Sequence, residues 1–544
     1  AYLFNIDFMK NFWFGLILRV SGSCMKGKQV DLIVHNAKIH CMDDQNTVED
    51  AMAIKDGKIV EVGPERQILN KYRADEIRDA KQRDVYPGFT DAHTHMFSLA
   101  KQNLGVDLTG CKSMEEVVDR IKAYLKKKKR TFVIGRGWDQ TRWKDDRMPT
   151  KEMISKAFPS IPVALYRIDG HALLVNEALL ITLDRPKSIR LNDPFETGLF
   201  IDNDMSIPEK ELKDFTEKEY EEELLKIQEK LYAFGVTGVH EAGVNRWQVN
   251  LLKRLVQQNR LSMDVYAMLI ATEENYQFAK QNGLISLKNL RVRSFKLYMD
   301  GALGSSGALL KTPYADQHGH TGLQLTSEAG LSMWIERCLA LGYQLNTHAI
   351  GDRGNQLVLT AYKRTYEQNP DHRWRIEHAQ VVDPADLHFF GDYAIFPSVQ
   401  PTHATSDQDW AENRLGKNRM KGAYAYRSLY NQFGMLALGT DFPVEDINPF
   451  LTLRAAVLRT DKNDYPKNGF LLEEGLDLNT ALKGMTVWPQ FASFSEAERG
   501  MLIQGMEATF FICAKPISSK EIPVDNYAKA TFVRGKKVFD AVSF

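Results

Sequence analysis

The sequence predicts a (β/α)8 TIM barrel that is joined to a small β-sandwich domain. Through the middle of the chain, short apolar runs alternate with longer helical stretches, which is typical of parallel strands covered by helices. There are eight such runs, and most are separated by about twenty to fifty residues, a usual βα period. Both chain ends are instead rich in β-forming residues, which predicts that they fold together. The eight predicted strands end near His95, His240, Leu269, Met299, His348, Glu377, Val399 and Thr440.

The composition favours a globular protein that acts on a small molecule. The chain has 544 residues, of which 44% are hydrophobic, and its 70 Lys and Arg balance 70 Asp and Glu. This composition excludes a disordered or collagen-like chain, and five cysteines without a CxxC pair exclude a disulfide scaffold. The zero net charge lacks the basic excess expected of a nucleic-acid-binding protein. We therefore expect a small-molecule substrate and no nucleic acid, with a homodimer as an open alternative to a monomer.

Residues 1–27 resemble an export leader rather than part of the fold. The apolar run at 12–18 is shorter than the roughly 20 residues that span a bilayer. Lys10 precedes this run, and small residues lead from it to Cys24, an order similar to that of a bacterial lipoprotein signal. Arg19 departs from the usual pattern. We expect an exported lipoprotein that faces the periplasm or cell surface, with a lipid anchor on Cys24. The alternative is a cytoplasmic protein with an N-terminal extension.

The two chain ends, residues 28–86 and 495–544, are predicted to form the small β domain. Segments 31–39 and 58–62 are short and β-rich, and segments 508–513 and 530–539 have the same character. Residues 87–494 are predicted to form the barrel. The gap from residue 96 to about 235, between the first two predicted strands, is too long for one helical crossover. We expect this segment to be an insertion that caps the barrel mouth.

The segment PGFTDAHTH, residues 87–95, places two histidines at the end of the first predicted strand. His93 and His95 are two residues apart, so both imidazoles point to the same face of a strand and can reach one metal ion. The alternative is a pair of histidines that form hydrogen bonds in a core or at a surface. The other predicted strand ends favour the metal site.

Three more potential ligands follow predicted barrel strands. His348 follows a run at 342–347, His378 follows a run that ends at Glu377, and Asp441 follows the last predicted strand. Active sites of this fold gather at the carboxyl ends of the strands, so we expect these residues to converge with the first two histidines. Nitrogen and oxygen ligands with an open position for water suit zinc or another divalent metal.

Lys296 lies within FKLYM, residues 295–299, where one cation interrupts a predicted apolar strand. A buried ammonium group is costly unless it is paired or chemically altered, and a buried lysine loses its proton readily. This lysine is therefore a candidate for chemistry in the barrel interior. The alternative is a lysine whose charged end reaches the surface along its own stem.

Six ordered motifs resemble the metal-dependent amidohydrolase superfamily. Within it, the chain is most similar to the branch that includes the N-substituted formamide deformylases. The resemblance covers the chain from about residue 30 to its C-terminal end. The motifs are PGFTDAHTH at 87–95, FKLYMDGALGSSGALL at 295–310, NTHAIGDRGNQLVL at 346–359, RIEHAQ at 375–380, VQPTHATSD at 399–407 and LGTDFPV at 438–444.

The resemblance implies a site with one or two metal ions. Lys296 would be a carboxylated lysine that bridges two ions, with His93 and His95 on one ion and His348 and His378 on the other. Such ions lower the pKa of water and polarise a carbonyl oxygen.

The resemblance also implies roles for residues around the metal site. Asp441 would accept the proton of the attacking water and pass it to the leaving nitrogen. His403 would contact a substrate oxygen or the transition state, or else support a metal ligand. Four cap residues are similar to cap motifs of the same branch and would line the substrate pocket, with burial in the cap core as the alternative: Trp138, Asp169, His171 and Asn176.

These observations predict a metal-dependent hydrolase that cleaves a non-peptide C–N bond of an N-substituted amide or formamide. Because fold and ligands do not determine the scissile bond, a cyclic amide, a carbamate or an ester remains an alternative. A surface lipoprotein that uses the barrel only as a binding module is the alternative of another class. A binding module would have no need of a proton-transferring Asp441 beside four histidines.

Overall fold

A computed structural model describes residues 27–145, 147–168, 170, 172–185 and 193–541 of the chain, without the side chains of residues 202 and 203. The predicted leader, with Cys24, lies outside the described residues, and so do Asp169 and His171 of the cap. Over the described ranges, no helix is both long enough and apolar enough to cross a membrane.

Five strands and one short helix precede the barrel. Strands β3 and β4 form a tight hairpin whose two turn residues, Asp56 and Gly57, both have positive φ, of 51° and 75°. An Asp-Gly pair suits this turn because Gly adopts that conformation without steric cost. These elements are β1 (Lys28–His40), β2 (Val48–Glu49), β3 (Ala51–Lys55), β4 (Lys58–Gly63), α1 (Glu65–Lys71) and β5 (Tyr72–Pro87).

The first barrel strand, β6 (Phe89–Thr94), is followed by an inserted unit with its own sheet. The inserted strands are β7 (Val106–Asp107), β8 (Val133–Trp138), β9 (Val163–Arg167), β10 (Ala172–Val175) and β11 (Leu199–Ile201). They pair in the order β11-β10-β9-β8-β7, apart from the barrel sheet. The helices of this part are α2 (Met96–Leu104), α3 (Met114–Lys127), α4 (Glu152–Ala157), α5 (Glu177–Leu180), α6 (Pro194–Thr197) and α7 (Ser206–Glu209).

Seven further parallel strands complete the barrel with β6, and the predicted (β/α)8 fold is confirmed. They are β12 (Val236–Val244), β13 (Asp264–Ile270), β15 (Leu290–Tyr298), β16 (Gln344–Ala349), β17 (Arg375–His378), β18 (Phe396–Val399) and β19 (Ala437–Leu438), while β14 (Ile285–Leu287) pairs antiparallel with β15. The strand order β6-β12-β13-β15-β16-β17-β18-β19 follows the sequence, as each βα unit adds one neighbour.

Helices follow most barrel strands and bury their apolar faces against the sheet. The first of them, α8, begins with a capping box in which Thr216 and Glu219 satisfy each other's backbone N–H groups. The helices are α8 (Glu217–Ala233), α9 (Arg246–Gln257), α10 (Glu273–Asn282), α11 (Glu328–Leu341), α12 (Asp352–Gln368), α13 (His388–Asp392), α14 (Pro401–Asp407), α15 (Ala411–Leu415), α16 (Tyr426–Phe433), α17 (Pro449–Val457), α18 (Leu478–Met485) and α19 (Val487–Ala492).

The first and last strands meet through hydrogen bonds beside the predicted metal ligands. Asp441 N–H donates to the carbonyl oxygen of His93 at 2.8 Å, and His95 N–H donates to that of Phe442 at 2.9 Å. The buried carboxylate of Asp91 accepts bonds from the backbone N–H and the hydroxyl of Thr440, at 2.9 and 2.7 Å. Closure of the barrel therefore fixes its first and last ligand segments relative to each other.

The C-terminal strands β20 (Phe510–Cys513), β21 (Ala528–Val533) and β22 (Lys536–Asp540) return to the N-terminal sheet. Strand β20 pairs antiparallel with β5, so strands from both chain ends form one hydrogen-bonded sheet of eight strands. Phe511 is fully buried and its ring lies 4.7 Å from that of Phe89 in the barrel. An aromatic contact therefore joins this sheet to the first barrel strand.

Candidate metal centre

The structure brings the predicted ligands together at the carboxyl ends of the barrel strands. They come from β6, β15, β16, β17 and the segment after β19, and His403 lies on α14, which follows β18. One cavity of about 790 Å³ is lined by six of these residues: His95, Lys296, His348, His378, His403 and Asp441. The seventh, His93, is fully buried beneath them. The convergence expected of a barrel active site is thus present.

His93 and His95 are each oriented by an acceptor on Nδ1. The Nδ1 of His93 lies 2.6 Å from a carboxylate oxygen of Glu377, and the Nδ1 of His95 lies 2.9 Å from the carbonyl oxygen of Ala242. Each Nδ1 therefore carries the proton, which leaves the lone pair on Nε2. Both Nε2 atoms face Asp441, whose Oδ1 is 3.7 Å from His93 and 3.0 Å from His95. Neutral imidazoles with such partners are the form that binds metals.

Asp441 lies between two groups of histidines. Its Oδ1 faces the pair on β6, and its Oδ2 is 3.6 Å from His403 Nε2. Burial opposes ionisation, but the nearby imidazoles of His95, His93 and His378 keep the pKa of Asp441 well below its usual value. The backbone of Asp441 has φ +63°, which is uncommon for a residue other than glycine. This conformation directs a charged carboxylate to the centre of the cluster.

Three buried imidazole nitrogens have no hydrogen-bond partner among the described residues. They are Nε2 of His348, Nδ1 of His378 and Nε2 of His403. The ring centroids of His348 and His378 are 4.5 Å apart, and burial lowers the pKa of His348 to about 3. Buried polar atoms are normally bonded, so three imidazole nitrogens without a protein partner around one carboxylate are suited to bind a cation. The donor set fits a divalent metal such as zinc.

Lys296 reaches the same cluster from β15. The side chain is 1% exposed, and its Nζ lies 3.0 Å from His93 Nε2. Burial lowers the pKa of Lys296 to about 8. A larger fraction of this amine than of an exposed lysine is then neutral and nucleophilic near neutral pH, which is the state that carboxylation requires. Carboxylation of Lys296 stays a prediction.

The potential ligand atoms can be grouped by the distances between them. Potential ligand atoms lie within 4.8 Å of one another in two sets, His93 with His95 and Asp441, and His378 with His403 and Asp441. Asp441 belongs to both sets. His403 of the second set joins the candidate ligands, and Asp441 is placed to serve both sets. His348 belongs to neither set, but its ring lies 4.5 Å from that of His378, and its Nε2, 3.6 Å from Asp300 Oδ1, makes no hydrogen bond there. Its place beside His378 on a second ion stays a prediction.

Three buried carboxylates without a predicted role hold the ligands in place. Besides His93, Glu377 accepts bonds from Arg375, and the charge of Arg375 lowers the pKa of Glu377 although burial opposes this. Glu241 accepts the N–H groups of the first turn of α2, directly after His95. Asp300 accepts three backbone N–H bonds, one from Leu309 and two from the segment after His348. The sequence signal that could have identified these carboxylates is the presence of an acidic residue in or next to a predicted buried strand.

Trp138 and Asn176 lie in the core of the cap and not along the cavity. Trp138 is 1% exposed, and its indole N–H donates to the carbonyl oxygen of Leu165 at 2.7 Å. Asn176 is fully buried and begins α5, where its side-chain oxygen accepts bonds from two N–H groups and its amide donates to two carbonyls. Both side chains thus use their polar atoms within the cap. The structure thus favours the alternative of burial in the cap core, and their contact with substrate stays a prediction.

Residues 76–539 match the family model of the amidohydrolase family. The chain is 31% identical to Protein LONG AFTER FAR-RED 3 of Arabidopsis thaliana, over 94% of this chain and 92% of that protein. It is 22% identical to N-substituted formamide deformylase of Arthrobacter pascens, over 89% and 93%. An uncharacterised metal-dependent hydrolase from Pyrococcus furiosus has a similar structure, with a TM-score of 0.76, 29% identity and coverage of 88% and 98%. This chain therefore belongs to the metal-dependent amidohydrolase family.

Proposed function

We propose that the protein hydrolyses a non-peptide C–N bond in a small N-substituted amide or formamide. The observation that supports this is the convergence of five histidines and Lys296 around the ionised Asp441, at the base of a cavity. A carboxylate beside unpaired imidazoles suits acid–base chemistry better than binding alone. The similarity to a protein named N-substituted formamide deformylase supports the choice of bond.

The two sets of ligand atoms that share Asp441 would hold the metal, which we propose to be zinc. Bound there, it supplies Lewis acidity, which acidifies water and polarises a carbonyl oxygen. The chain contributes the orientation of its ligands through Glu377 and Ala242, which fix the protons of His93 and His95 on Nδ1.

Asp441 and His403 would carry the proton and orient the substrate. The carboxylate of Asp441 is ionised, so it can accept a proton from the attacking water and return it to the leaving nitrogen. The Nε2 of His403 lines the cavity 3.6 Å from Asp441 Oδ2, within reach of a group bound between them. His403 would hold the substrate oxygen at that point.

Metal removal and replacement test this proposal. The purified full-length protein is depleted with a chelator and reloaded with zinc, and the release of amine from N-formyl and N-acyl amines is measured. We expect at least about one equivalent of metal per chain and activity only in the loaded protein. Asp441→Asn should lower kcat by about 10²–10⁴-fold. Asp119→Asn, at a highly exposed carboxylate in the cap, is the matched control and should leave kcat unchanged.

The substrate panel decides between the alternatives. Turnover of esters, carbamates or cyclic amides with no turnover of open-chain amides would contradict the proposed bond while keeping a hydrolase. Less than about one equivalent of tightly held metal, with no activity restored by zinc, would contradict an enzymatic function and favour a binding module.

A further inference from the structure

The outer part of the cavity contains an indole ring that packs against a glycine. Trp410 is half-buried and lines the cavity together with Gly304, which belongs to the loop after β15. The backbone of Gly304 does not adopt a positive φ, so its conformation does not require glycine. A Cβ at this position would lie only 3.3 and 3.4 Å from two ring atoms of Trp410. The missing side chain thus provides the space in which the ring is held.

Arg414 and Glu445, two charged residues of the same wall, already have protein partners. The guanidinium of Arg414 donates to the carboxylate of Asp316 at 2.6 Å and to the carbonyl oxygen of Gly304 at 2.9 Å. The carboxylate of Glu445 accepts a bond from the hydroxyl of Ser406 at 2.5 Å. A carboxylate on a substrate would have to compete with Asp316 for Arg414, at a cost in desolvation.

Asp407, another charged residue of this wall, also has hydrogen-bond partners within the protein. Its Oδ2 accepts bonds from the hydroxyl of Tyr424 at 2.8 Å and from the side-chain amide of Gln380 at 3.0 Å. Burial raises the pKa of Asp407 to about 6, so the carboxylate is mostly ionised at neutral pH and would repel an anionic substituent. The polar groups of the outer wall therefore stabilise the wall itself, and they leave little for a charged substituent to bind.

Apolar surface lies beside these paired charged groups in the same wall. Leu303 is 1% exposed beside Gly304, and Val444 is 68% exposed directly after the catalytic segment at Asp441. Both line the cavity with Trp410. The exposed valine and the half-buried indole make an apolar surface with Leu303 packed behind it, and the ring adds a flat face that favours another flat group.

We propose that Trp410, seated against Gly304, is a specificity-determining residue that selects neutral substrates with a flat, apolar substituent. This inference rests on the proposed function, because only a hydrolase would use the subsite to select a substrate. The binding preference of the subsite can be measured whether or not the ligand is hydrolysed. It predicts weak recognition of N-acyl amino acids, because their carboxylate would have to compete with Asp316 for Arg414.

Ketones in which a CH2 group replaces the amide nitrogen test the subsite without hydrolysis. The probes are 4-phenylbutan-2-one, butan-2-one and 5-oxohexanoate, and dissociation constants are measured by calorimetry with the metal-loaded full chain. We expect the phenyl ketone to bind roughly tenfold more tightly than the other two, the effect of one aromatic contact with its buried area. Trp410→Ala should abolish this preference, and Trp410→Phe should retain part of it.

Gly304→Val is the second variant, because its side chain would displace the ring without removing it. It should also abolish the preference. Tyr465→Ala removes an aromatic ring that is 52% exposed and outside the cavity lining, so it should leave all three constants unchanged.

An unchanged phenyl preference in folded Trp410→Ala and Gly304→Val, or tighter binding of 5-oxohexanoate, would overturn the subsite. If no amide is hydrolysed but the Trp410-dependent preference is present, the subsite is supported and the proposed function is not. If amides are hydrolysed at rates that do not depend on the substituent, the proposed function is supported and the subsite is contradicted.

Discussion

Replacing Glu377 by Gln tests whether a buried carboxylate sets the protonation of His93. Glu377 is fully buried between His93 Nδ1 and Arg375 Nε, each at 2.6 Å. A guanidinium has only donors, so Gln would turn its carbonyl oxygen towards Arg375 and its amide N–H groups towards His93. Nδ1 of His93 would then have to accept, and the ring proton would move to Nε2. That nitrogen faces Lys296 and Asp441, so a potential metal ligand would be lost.

Glu377→Gln is expected to lower both the unfolding free energy and the metal affinity, for different physical reasons. Arg375 is fully buried, and without its carboxylate the guanidinium is an uncompensated charge. Breaking a buried pair in this way costs about 3–5 kcal/mol of unfolding free energy. Removal of an acceptor behind a metal-binding histidine lowers metal affinity by about 10–100-fold. We expect the upper end of that range, because the substitution also inverts which ring nitrogen is protonated.

Chelator competition and urea unfolding measure the two losses independently. The comparison is between the parent protein, Glu377→Gln and Glu336→Gln, a matched substitution at an exposed glutamate that should change neither quantity. Metal affinity within about threefold of the parent, alongside lower stability, would refute the tautomer reasoning and leave Glu377 a purely structural role.

Three further outcomes are expected. Gly354→Ala should lower the unfolding free energy by about 1–3 kcal/mol in urea, because its Cβ would lie 2.6 Å from the buried Asp300 Oδ2; an unchanged midpoint would contradict this. Phe511→Ala should cost about 3–5 kcal/mol, measured in the same way, and weaken the contact of sheet and barrel. The bond from Lys71 lowers the pKa of Glu61 to about 2, so its stabilisation is complete above pH 4.5 and disappears as the pH falls towards 2. Glu61→Gln should flatten this acid dependence by at most about 1 kcal/mol in acid titrations of stability, since the pair is partly solvated.

The barrel and the convergence of most candidate ligands could be predicted because strand ends in this fold coincide with functional residues. His95, His348 and His378 each lie at or next to the end of a predicted strand, and the structure brings all three to one cavity. The predicted cap range also contains the inserted sheet. A buried strand and the polar residue that ends it are both local features of the sequence, so they require no knowledge of distant contacts.

The supporting contacts could not be predicted, since they join residues far apart in the chain. Glu377 and His93 are 284 positions apart, and no periodicity relates them. Glu241 and Met96, 145 positions apart, meet only because β6 and β12 are neighbours in the barrel. Trp138 and Asn176 were expected near substrate from their motifs, but a motif does not say which face of a small inserted sheet is buried. That face is decided by packing inside the cap.

Closure of the barrel has a consequence for when the metal centre can be made. Asp91 and Thr440, whose bonds join the first and last strands, are 349 positions apart. At about 5–20 residues per second on the ribosome, these two positions are synthesised roughly 20–70 s apart. The histidines of β6 therefore emerge long before the carboxylate that faces them. A nascent chain or an early-terminated fragment lacks that carboxylate, so the complete ligand set becomes available for loading only near the end of translation.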